Sequence, residues 1–219
     1  MGARPEKDGA LLESRLMKHV SRGFFRPVAP FVEEVRCGAY AESLCAIVDP
    51  CGDEEIAGIL AEIRAFSKTL GEREPEDARL ALEADFNRLF VGPGKLLAPP
   101  WESYYASVRD GEGRGFLRGR TERSIADFYR ENGFALPADS DVFPDHIGVE
   151  LEFLALLAAQ EAQAHQDGAA EEVARLQEVE LLFRERHVRT WVGDFARDVA
   201  TGASTPFYRS LALLVARIV

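Results

Sequence analysis

Cysteine is scarce in this chain, basic residues never cluster, and long apolar runs are missing. The three cysteines, Cys37, Cys45 and Cys51, are too few and too irregularly spaced for a disulfide framework. Their spacing fits no common zinc pattern either, so they read as reduced thiols of a cytoplasmic protein. No segment approaches the roughly 20 apolar residues that span a bilayer. The first residues, "MGARPEKDGALLESRLMKHV", scatter charge where a signal peptide needs an apolar core. A cytoplasmic location without membrane insertion is therefore expected. Lysine and arginine number 26 against 37 acidic residues, a net charge of −11. Nucleic acid is a poor partner for such a chain, because phosphate binding needs clustered cations. An acidic surface favours solubility or a basic ligand. Convincing strands, internal repeats and low-complexity tracts are also absent.

What is present is helical periodicity. At 219 residues, with 47% hydrophobic and 29% charged residues, the chain can bury a sizeable core and stay soluble. Apolar residues recur at helix spacing over 28–48 and 54–70, where Ile56, Ile59, Leu60, Ile63 and Phe66 make one stripe. Over 76–91, Leu82, Phe86, Leu89 and Phe90 fall at i, i+4, i+7 and i+8, and Gly92-Pro93 stops the helix. Residues 122–132 predict a further helix and 133–144 a polar connector. Residues 145–166 form a helix apolar on nearly every side, suited to the centre of a bundle. A long amphipathic stretch over 170–200, broken near His187, and a last helix over 207–219 complete an all-α helical bundle.

The turn "VGPGK" at 91–95 raises the question of a phosphate loop. A Walker loop needs a glycine where Leu89 stands, a hydroxyl where Leu96 stands and a preceding strand. All three requirements fail, and a nucleotide-dependent enzyme using Lys95 survives only as an alternative. The following "APPWESYY" is fixed in an extended path by its prolines. Its aromatics supply large, stiff contact area. Trp101 and Tyr104 either plug the core or, with Phe86, Leu89 and Phe90, line one apolar groove.

His146 precedes Glu150 by one helical turn, which could place both on a metal. The other histidines lie in unrelated patterns, and no E-x-x-H pair supports a di-iron bundle. A metal-dependent enzyme built on His146 and Glu150 is the second alternative; neither metal nor cofactor is expected. Asp145 suits a helix start, and His146 feels both that helix dipole and the Asp145 charge. Glu150 and Glu152 interrupt the most apolar helix, and buried carboxylates need partners: internal arginines or a basic ligand.

Three stretches, "DFNRLFVGPGKLLAPPWESYY" (85–105), "FPDHIGVELEFLALL" (143–157) and "HVRTWVGDFARDVATGASTPFYRSLALL" (187–214), together resemble the TorD/DmsD/NarJ family of cytoplasmic chaperones for molybdenum-containing redox enzymes. The resemblance covers about 35–219 and leaves residues 1–34 as an N-terminal helical extension, with a subdomain hinge at 133–144. It implies an all-α protein without a reaction of its own. Such a protein binds the twin-arginine leader, or the catalytic subunit, of a partner molybdoenzyme and holds export back until the cofactor is in place. Phe86, Leu89, Phe90 and Trp101 would then contact the peptide, and Asp145 and His146 match a pair implicated in leader recognition. Tyr104 and Glu150 complete the expected peptide-binding set. A monomer and a helix-exchanged dimer both remain open.

Overall fold

The computed structural model describes residues 6–48, 52–94, 96–111, 117, 119–137 and 140–219. Cys51 and Lys95 lie outside the described residues. Among those described there are eleven α-helices and no strand. They run α1 (Glu6–Ser21), α2 (Ala29–Arg36), α3 (Ala39–Val48), α4 (Glu54–Gly71), α5 (Pro75–Phe86) and α6 (Glu102–Arg109). Then follow α7 (Arg120–Glu131), α8 (Ile147–Asp167), α9 (Ala170–Arg186), α10 (Val192–Gly202) and α11 (Pro206–Ile218).

The all-α expectation holds, with local differences that have local causes. The helix expected over 28–48 is two, because Gly38 takes the left-handed region at φ 84° and separates α2 from α3. The helix expected over 76–91 is α-helical only to Phe86. It finishes in a π turn over Asn87–Val91, and Gly92 at φ 96° ends it. The 170–200 stretch does break at His187, which is followed by a short 3₁₀ turn before α10.

The chain divides into two compact units that interleave along the sequence. Unit 1 comprises Met1–Arg22 with Trp101–Trp191, and unit 2 comprises Gly23–Pro100 with Val192–Val219. The N-terminal helix is therefore part of unit 1 and not an appendage ending at 34. It lies along α8, the helix it packs against most extensively, where the Ser14 hydroxyl donates to the Ala155 carbonyl at 2.7 Å. The connector at 133–144 falls inside unit 1.

Unit 1 is cored by stacked and edge-on aromatics, with Phe153 4.7 Å from both Tyr129 and Phe183 between ring centroids. Its central helix α8 is buried on most sides, as its all-round apolar sequence requires. In unit 2, Phe31, Tyr40 and Phe207 make mutual edge-to-face contacts. Asp85 is buried there and ties α5 to the start of α11. Its carboxylate accepts the Ser204 N–H at 2.9 Å and both the N–H and hydroxyl of Thr205 at 2.7 Å. Burial would raise its pKa, but those bonds outweigh it and hold the group below the ordinary value.

Candidate functional site

The geometry is built where "PPWES" meets "FPDHI" in unit 1. Trp101 is extended and forms an isolated antiparallel bridge with His146. The next two residues begin α6, and their N–H groups need acceptors. Glu102 N–H donates to the Asp145 carbonyl at 2.9 Å, and Ser103 N–H donates to Asp145 Oδ2 at 3.0 Å. Asp145 thus caps α6, 42 residues away in sequence, and not the helix it immediately precedes. That helix, α8, is capped by His146, whose Nδ1 accepts the Gly148 N–H at 3.1 Å. Tyr129 pins the same segment by donating its hydroxyl to the Pro144 carbonyl at 3.1 Å.

An accepting Nδ1 requires a neutral imidazole with its proton on Nε2. Burial works in the same direction and lowers the His146 pKa to about 3. The opposed influences of helix dipole and neighbouring aspartate resolve to an uncharged ring.

The cluster contains three buried carboxylates. Glu102 Oε2 is 2.9 Å from His187 Nδ1, and both side chains are buried. Glu150 is 0% exposed; its Oε2 accepts the Trp191 indole N–H at 3.2 Å, while its Oε1 has no partner. Asp145, also 0% exposed, leaves Oδ1 without a partner. Burial raises the pKa of all three. For Glu150 the negative charges of Glu102 and Asp145 add to burial, and the group sits well above the carboxylate range. Of the partners expected, internal arginines or a basic ligand, neither is what Glu150 Oε2 meets within the chain; it meets an indole, and Glu152 is exposed.

Aromatic side chains flank the cluster. Trp101, Tyr104 and Phe143 are each half-buried, and the Trp101 ring lies 6.1 Å from Phe143 and 6.2 Å from His146 between centroids. The arrangement offers stiff aromatic faces, which suit an apolar ligand.

Of the expected residues, Trp101, Tyr104, Asp145, His146 and Glu150 gather in unit 1. Phe86, Leu89 and Phe90 belong to unit 2 and are buried in its core. Phe90 lies 5.2 Å from Phe86, 5.7 Å from Tyr208 and 6.1 Å from Phe195 between centroids. They are core side chains, so the single groove expected of them with Trp101 is corrected: a buried ring has no face left for a peptide.

The metal alternative gains no support: His146 Nδ1 and Glu150 Oε2 are engaged within the chain, and among the described residues no group of three or more His, Cys, Asp and Glu could hold an ion. Around Lys95, Gly92 and Gly94 take φ of 96° and 100° after a helix, the signature of a structural turn. Sequence reasoning missed Glu102, His187, Trp191 and Asp85 as members of buried polar networks. All four fall inside the three stretches singled out above, which meet at the Asp145 cluster in unit 1 and at Asp85 in unit 2.

Comparison with known proteins shows the family and the fold. The profile of the family described as nitrate reductase delta subunit matches residues 49–197. The chain is 34% identical over 156 residues to the chaperone protein TorD of Photobacterium profundum, covering 70% of this chain and 68% of that one. It is 28% identical over 129 residues to DmsD of Haemophilus influenzae, named as a Tat proofreading chaperone, covering 59% of this chain and 54% of that one. A crystal structure from Archaeoglobus fulgidus, titled as a candidate redox enzyme maturation protein, shares the fold. Its TM-score is 0.52 at 20% identity, over 99% of this chain and 95% of that one. No helix among the described residues is long and apolar enough to cross a membrane.

Proposed function

The chain belongs to the nitrate reductase delta subunit family, and from that premise we infer that it is a redox-enzyme maturation chaperone. Its ligand is the leader, or the apo-form catalytic subunit, of a molybdenum-containing oxidoreductase. It works in the cytoplasm before export and turns over no substrate. The observation that carries the reading is the pairing of Trp101 with His146 over buried Asp145, Glu102 and Glu150. Half-buried aromatics supply burial for an apolar peptide segment, and the Asp145 carboxylate, when ionised, supplies attraction for its basic end.

The test is titration of the full chain with the twin-arginine leader peptide of a molybdenum-containing oxidoreductase. Trp101→Ala should weaken binding about 5- to 150-fold, the range of an aromatic anchor worth about 1–3 kcal/mol. Asp145→Asn keeps an oxygen for the Ser103 N–H and removes the charge, so it should weaken binding of a leader with paired arginines. The same variant should leave a leader with both arginines replaced by glutamine unaffected. Wild-type affinity in both variants, with unchanged melting curves, would remove this face as the binding site. A peptide that fails to bind the wild-type protein would remove the leader as its ligand.

A further inference from the structure

Three helices of unit 1 meet at a second group of ionisable side chains that peptide binding leaves unused. Arg184 on α9 is buried and forks between two carboxylates. Its Nε donates to Glu180 Oε1 at 2.8 Å on its own helix, and its Nη2 donates to Glu13 on α1. Glu161 on α8 faces the same group; it accepts from Gln177 Nε2 at 2.7 Å and lies 3.4 Å from His165 Nε2. Elsewhere on α1, Lys18 attracts Glu152 of α8. Around Glu13, then, stand two further carboxylates, one guanidinium and one imidazole.

This group sits where α1 is fastened. The helix buries Ala10, Met17 and Val20 and holds α8 through Ser14, while Glu13 carries its ion pair to α9. We propose that Glu13, sharing a proton with Glu180 beside Arg184, makes α1 a pH-responsive strap across α8 and α9. With the proton in place, Glu13 donates to Glu180, and Arg184 balances the one remaining negative charge of the pair. When the proton leaves to solvent, two adjacent carboxylates and nearby Glu161 share a single guanidinium, and closure becomes less favourable.

The sign follows from the closed-state pKa of Glu13. Burial first and the Glu180 charge second outweigh Arg184 and raise it from 4.5 to about 7. The closed state therefore binds the proton more tightly than the open state. The stabilisation of closure is complete below about 4.5 and is lost as pH rises through about 7. One such proton makes opening of α1 about tenfold more frequent at pH 8 than at pH 6.

Amide hydrogen exchange of the full chain, corrected for intrinsic rates, reads this directly. The α1 amides should lose about tenfold protection between pH 6 and pH 8, while α11 in unit 2 stays level. Glu13→Gln keeps the hydrogen bonds without the titration, so α1 in that variant should be as protected at pH 8 as at pH 6. Glu180→Gln removes the other half of the pair and should flatten the same response. Wild-type α1 protection that does not change with pH, an equal change in α11, or an undiminished slope in both variants would each overturn the proposal.

Discussion

A helix cap made by an imidazole nitrogen works only while that nitrogen is bare. His146 offers Nδ1 to the Gly148 N–H from a position 7% exposed, so protonation would both break the cap and bury a cation. The folded-state pKa, about 3, lies below the ordinary 6.5. Unfolded chains therefore take up the proton first on acidification. The stabilisation is present above about 6.5 and is lost as pH falls toward 3, at up to about 1.4 kcal/mol per pH unit. His146→Asn should preserve stability at pH 7, because asparagine is a strong N-cap, and should flatten the acid limb of a denaturant-midpoint profile between pH 6 and 3. An unchanged acid limb in that variant would assign the pH dependence to other groups. The buried acids Glu102, Asp145 and Glu150 act in the opposite direction, since their raised pKa values weaken the fold as pH rises. Unit 1 accordingly combines an acid-sensitive cap with alkali-sensitive carboxylates.

Helices in this chain start on side chains drawn from near and far. Where the cap is local, as with Asp53 accepting from Glu55 and Ile56 at the head of α4, start and stripe can both be read from sequence. The start of α6 cannot, because its acceptor is Asp145 and nothing near "PPWES" announces it. The prolines point to extended backbone, and they are right only as far as Trp101. The peptide-contacting residues divide for the same reason. Helical spacing gives Phe86, Leu89 and Phe90 an apolar face, but spacing alone cannot distinguish a face turned to a ligand from one turned to Tyr208 and Phe195. Asp85 on the same helix anchors Ser204 and Thr205, the two residues that lead into α11. Asp85→Ala should cost about 2–4 kcal/mol, since it strips acceptors from Ser204 and Thr205 at once. Equilibrium urea unfolding measures this, and a loss below about 0.5 kcal/mol would show those groups finding other partners.

At the scale of the whole molecule, each unit is assembled from two separate segments of the chain. Residues 1–22 belong with 101–191, and 23–100 with 192–219. Sequence resemblance concentrated on 35–219 hides this, because α1 lies outside the matched motifs yet covers the central helix of unit 1. Deleting residues 1–22 should therefore do more than trim an extension. It leaves Arg184 without Glu13 and uncovers the flank of α8. The truncated protein should lose cooperative melting and be cleaved within α8 and α9 under limited proteolysis. Sharp wild-type melting in the truncated chain would restore the view of α1 as an appendage.

The partnership of α1 with α8 also sets a timetable for synthesis. Ser14 and Ala155 are 141 residues apart, and ribosomes add about 5–20 residues each second. The first helix therefore waits about 7–30 s for its partner to be made. A lone 16-residue helix is marginal in water, so during that interval Met17 and Val20 remain exposed on the nascent chain. A chaperone for redox-enzyme maturation thus begins its own life with apolar side chains uncovered.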